Sequence, residues 1–93
     1  MDLKDCEFRT LADLVALLEE ENQAQLKKWG VQIASPPEWM LFLTEEVGEL
    51  AQAIAEHEYR QGSKEDVIKE AVQVATLALK IVEMYRDPEQ GDQ

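Results

Sequence analysis

The chain has 93 residues, 20 acidic and 9 basic, for a formal charge of −11. That balance excludes a general nucleic-acid binder, which needs a basic surface to neutralise phosphates, and no apolar run approaches the length of a membrane span. The length fits one domain, and a chain this small buries only about 60–65% of its unfolded surface, so self-association is expected to complete its core.

Leu, Ala, Ile and Val are plentiful, aromatics make up 6%, and there are 4 Gly and 3 Pro. That is a helical composition. The lone Cys6 excludes an internal disulfide framework and fits a reducing cytoplasm. Met1-Asp2-Leu3-Lys4-Asp5 is not followed by the apolar stretch of a signal peptide, so a cytoplasmic location is expected.

The first helix is expected from about Thr10 to Lys28, with Thr10 and Asp13 in a capping arrangement. Leu11, Leu14, Val15, Leu17 and Leu18 form its apolar side, Leu26 extends it, and Trp29-Gly30 ends it. After a loop, Ser35-Pro36-Pro37-Glu38 is a strong helix start: Ser35 as N-cap, Pro36 at the first helical position, Glu38 closing a capping box. The second helix is expected to reach about Tyr59. Trp39, Leu43, Val47, Leu50 and Ile54 recur at spacings of three and four and mark one buried face.

Gly62 is expected to close that helix in the left-handed region, and Ser63 with Asp66 to open a third helix running to about Tyr85, stopped by Asp87-Pro88. From Ala71 to Leu79 only Gln73 and Thr76 interrupt an apolar run. A helix apolar all round is surrounded by protein, and two other helices cannot cover it, so a second copy of the chain is expected against it. The fold reading is all-α: a three-helix chain forming a helical bundle completed by oligomerisation, one domain over residues 1–93 with 87–93 as a flexible tail.

Glu45-Glu46-Val47-Gly48-Glu49 places three carboxylates in five residues inside the second helix. At spacings of three and four such charges repel by about 0.2–0.5 kcal/mol per pair. Holding a cation offsets that cost, and magnesium, which takes oxygen ligands, is the natural guest. Glu70 and Gln73 repeat the spacing of three. In an antiparallel hairpin about Gly62, Glu49 lies 13 positions before the turn and Glu70 and Gln73 lie 8 and 11 after it. With equal rise per residue they face one another. Glu46, Glu49, Glu70 and Gln73 then line one pocket, with Glu45 at its edge. Acidic clusters are more often solvated faces; the entry of Glu70 and Gln73 into an apolar stretch favours the metal site.

These residues carry a resemblance. Glu45-Glu46-Val47-Gly48-Glu49, a spacer of 20 residues, and Glu70-Ala71-Val72-Gln73 resemble the Glu-Glu-x-x-Glu and Glu-x-x-Asp motifs of the MazG-like, all-α nucleoside triphosphate pyrophosphohydrolases. Lys28-Trp29-Gly30, Trp39 and the run Leu43 to Leu50 resemble a short, single-module branch of that family. The likeness spans about residues 20–85. It implies a helical dimer or tetramer that hydrolyses a nucleoside triphosphate to the monophosphate and pyrophosphate with Mg2+, for which Mn2+ can substitute. It implies Glu46, Glu49 and Glu70 as metal ligands, Glu45 as a further ligand or the residue orienting the attacking water, and Gln25 facing the pocket. Gln73 departs from the family's Asp. Its carbonyl oxygen still coordinates a hard cation, with one negative charge fewer, so a non-catalytic oligomerisation or regulatory module is the alternative function.

Among the remaining residues, Trp39 reads as a packing anchor. Trp29, beside Lys28, is the better candidate for a nucleobase contact. Lys28, Arg60 and Lys80 have the reach to meet phosphates, although ordinary surface charge is the simpler reading of each. His57, between Glu56 and Glu58, reads as exposed, and Met40 and Met84 as core or interface filler.

Overall fold

The computed structural model describes residues 10–30 and 34–86. It holds three helices, α1 (Leu11–Trp29), α2 (Pro36–Arg60) and α3 (Lys64–Arg86), and no strand among the described residues. Cys6, Asp87-Pro88 and the expected tail lie outside those residues. Among them, no helix is long and apolar enough to cross a membrane.

The helix starts follow local chemistry. Ser35 Oγ accepts from the Glu38 backbone N–H at 3.4 Å and the Ser35 N–H donates to Glu38 Oε1 at 2.8 Å, so the capping box is complete, with Pro36 at the first position. A cap of this kind contributes about 1 kcal/mol. Accepting the backbone N–H also holds the Glu38 carboxyl below its ordinary value. At α3, Ser63 Oγ accepts from the Asp66 N–H at 3.1 Å. Thr10 differs from expectation: its side chain makes no capping bond, and only its carbonyl enters the ladder, accepting from Leu14 N–H at 3.0 Å.

The end of α2 also corrects the sequence reading. Gln61, not Gly62, takes the left-handed conformation, with φ 61°. Gly62 serves a different need: its N–H donates to the Glu56 carbonyl at 2.8 Å, and a Cβ there would meet Glu56 atoms at 3.0–3.2 Å. The missing Cβ eases this close approach, and the glycine is not there for a left-handed dihedral. His57 is exposed, as expected, and its Nδ1 lies 2.7 Å from the Gly62 carbonyl, where it donates.

Three residues link α2 to α3, so the two pack as an antiparallel hairpin, and α1 lies against α3. Trp39, Ala53 and Leu77 form the buried apolar centre. The inward stripe of α2 runs through Trp39, Leu43, Glu46, Leu50 and Ala53. Val47, 47% exposed, and Ile54, 44% exposed, lie on its flank, contrary to the face expected from apolarity alone. Thr76 is buried and returns its hydroxyl to the Val72 carbonyl at 2.7 Å, which satisfies it within an apolar run. The outer side of α3 keeps Ile68, Leu79, Val82 and Tyr85 exposed, and the first half of α1 does the same with Leu11, Leu14, Val15 and Leu17.

Candidate metal centre

The hairpin brings two turns of α2 against one turn of α3. Each of Glu46, Glu49 and Glu70 offers a carboxylate oxygen, and these oxygens lie within 4.8 Å of one another. Glu46 and Glu70 are half-buried and Glu49 is exposed. Gln73 sits one turn beyond Glu70. In the amide orientation its neighbours dictate, Nε2 donates to Glu46 Oε2 at 2.8 Å and to Glu70 Oε1 at 2.6 Å. One neutral amide thus ties together carboxylates from two helices.

Electrostatics register the crowding. Burial, then the charges of Glu49, Glu70 and Glu21 and a hydrogen bond with Glu70, push the Glu46 carboxyl from 4.5 up to about 7. Burial and like charges both disfavour the ionised form. The donor set fits a hard divalent cation: all-oxygen ligands, predominantly carboxylate, with the Gln73 carbonyl oxygen available after rotation of its amide.

The raised Glu46 value gives a pH dependence with a definite sign. The folded chain holds an extra proton between about pH 4.5 and 7. The stability associated with neutral Glu46 is therefore full below that window and lost as pH rises through it. A divalent cation bound at Glu46 would compete with that proton. The rise in melting temperature on adding magnesium is expected to be larger at pH 8 than at pH 6, and Glu46→Gln is expected to remove the difference. A shift of equal size at both pH values would show that Glu46 takes no part in binding.

The triad is divided between two hollows. The larger, about 770 Å³, lies among all three helices and is lined by Gln25, Trp29, Trp39, Glu45, Glu46 and Gln73, among others. The smaller, about 210 Å³, runs along the hairpin and includes Glu49 and Glu70. Of the residues singled out from sequence, Lys28 lines neither hollow. It is exposed, with its ammonium 4.9 Å from the Trp29 ring centroid. Trp29 is on the cleft wall, and Arg60 pairs with Glu56 at 3.7 Å beside the hairpin turn.

Gln25 is the most deeply placed polar residue of α1, at 6% exposure. Its Nε2 donates to Glu21 Oε2 at 2.8 Å, and Lys80 Nζ donates to its Oε1 at 2.6 Å. Glu21 was not visible as a site residue in the sequence because it belongs to no motif. One signal was present: the stripe Leu11, Leu14, Leu18 continues through Glu21, Gln25 and Trp29. The inward side of the helix turns polar where it reaches the cleft.

Comparison of the chain with protein-family models, with curated proteins and with solved structures finds no match.

Proposed function

We propose that the chain is a magnesium-dependent nucleoside triphosphate pyrophosphohydrolase of the MazG-like kind, acting as a homo-oligomer. The observation that carries the reading is the convergence of Glu46, Glu49 and Glu70 from two helices, with Glu46 also lining a cleft of about 770 Å³. Glu46, Glu49 and Glu70 would hold the ion, with Gln73 as a neutral fourth donor. Bound there, magnesium offsets charge on phosphate oxygens and lowers the pKa of a water. Glu45, on the cleft wall, would orient the attacking water and accept its proton as oxygen attacks phosphorus. The bond to the leaving pyrophosphate breaks. Trp29 offers an aromatic surface to the base. The exposed apolar residues of α1 and of the outer side of α3 support assembly with further copies.

A specific observation favours a second reading. The Gln73 amide satisfies Glu46 and Glu70 together without any cation, as it would in a helical oligomerisation or regulatory module that turns nothing over. A panel of nucleoside triphosphates with magnesium and with manganese decides between them. The hydrolase reading expects monophosphate and pyrophosphate from at least one nucleotide, and tighter metal binding with faster turnover in Gln73→Asp. No product from either form across the panel would leave the module.

A further inference from the structure

We propose that Lys80 is the phosphate-anchoring residue of the larger cleft, binding part of the polyphosphate chain away from the acidic triad. The inference rests on the nucleotide reading of the site. Among the described residues, Lys80 is the only basic side chain on the wall of that cleft, which also carries Glu45, Glu46 and Glu83. A nucleoside triphosphate brings several negative charges into this acidic space. A cation at the triad offsets those nearest to it, and the rest need a second positive group.

Lys80 is held in place for that task. Its Nζ donates to Gln25 Oε1 at 2.6 Å and stands 5.8 Å from the centroid of the Trp39 ring. Gln25 is buried and fixed in turn by its 2.8 Å bond to Glu21. An ammonium has three N–H donors, so two remain for a ligand after Gln25 takes one. Gln25 is thereby a positioning residue. Gln73 and Lys80 share one side of α3, seven residues apart, which is about 10 Å of helix rise. The triad and the ammonium therefore address different parts of one extended anion. Lys28 and Arg60, the other cations with the reach for phosphate, stand outside the cleft.

The simpler role for Lys80 is to fasten α3 to α1 through Gln25, and binding measurements separate the two. Inorganic tripolyphosphate is titrated with magnesium present into the wild type and into Lys80→Met, Lys80→Gln and Lys80→Arg. Loss of a charge-assisted contact is expected to weaken binding at least about tenfold in the two neutral variants. The Arg variant, which keeps the charge, is expected to stay within about threefold. Magnesium affinity without tripolyphosphate is expected to be unchanged in all of them. Lys80→Gln keeps a hydrogen-bonding partner for Gln25 and guards against loss of folding in Lys80→Met. Neutral variants that melt lower yet bind tripolyphosphate as the wild type does would overturn the assignment. A wild type that releases pyrophosphate from a nucleotide but ignores tripolyphosphate would overturn it too, leaving the hydrolase reading intact. A wild type that turns over no nucleotide, but binds tripolyphosphate through Lys80, would sink the hydrolase reading and keep the anion site.

Discussion

Glu49→Ala is expected to abolish magnesium-dependent pyrophosphate release, lowering turnover at least ~100-fold, since even the loss of a group that supports a metal ligand costs about 10–100-fold. The variant is informative because its structural cost is small. Glu49 is exposed and its charge adds to the raised pKa of Glu46, so its removal relieves repulsion by a few tenths of a kcal/mol, roughly. The measured pair is therefore activity and melting temperature. Activity is expected to vanish while the metal-free melting temperature holds or rises slightly. Retained activity would mean that Glu49 holds no ion, and with it would go the three-carboxylate basis of the proposed chemistry.

Trp39→Ala is expected to be the most destabilising single change. Trp39 is 7% exposed, meets Phe42 edge to face at 5.6 Å, and carries the Lys80 ammonium over its ring. Truncating a buried Trp costs about 3–5 kcal/mol, against a total stability of about 5–15 kcal/mol for an ordinary domain. This domain has few buried apolar residues to share the loss. Denaturant titration is expected to show a large fall in midpoint, with a smaller one for Trp39→Phe. A change below about 1 kcal/mol, within the range of an ordinary substitution, would show that the ring is not part of the core.

What could be read from sequence divides along a physical line. The starts at Ser35 and Ser63 were legible because a cap is satisfied by residues three apart in the chain. The meeting of Glu46, Glu49 and Glu70 was legible because a short turn and a constant rise fix which residues of a hairpin stand opposite. The inward side of α2 is not legible from apolarity alone, which points to Val47 and Ile54 although both are exposed. In this helix the inward position at mid-length, between Leu43 and Leu50, is occupied by the half-buried Glu46. The same substitution of polar for apolar hides Glu21 and Gln25 in α1. Gly62 looks in sequence like the αL residue, whereas that residue is Gln61 and the glycine gives a tight approach to Glu56. Local propensity does not see that contact.

The tight path from Arg60 to Lys64 has a bearing on the chemistry well away from it. Each residue added to a helical path turns everything downstream by about 100°. With three residues in the link and a tight approach of Gly62 to Glu56, the connection works as an indexing stop. It sets the angular phase at which Glu70 and Gln73 arrive opposite Glu46. Lengthening it by one residue would leave every carboxylate in the sequence and dismantle the cluster they form.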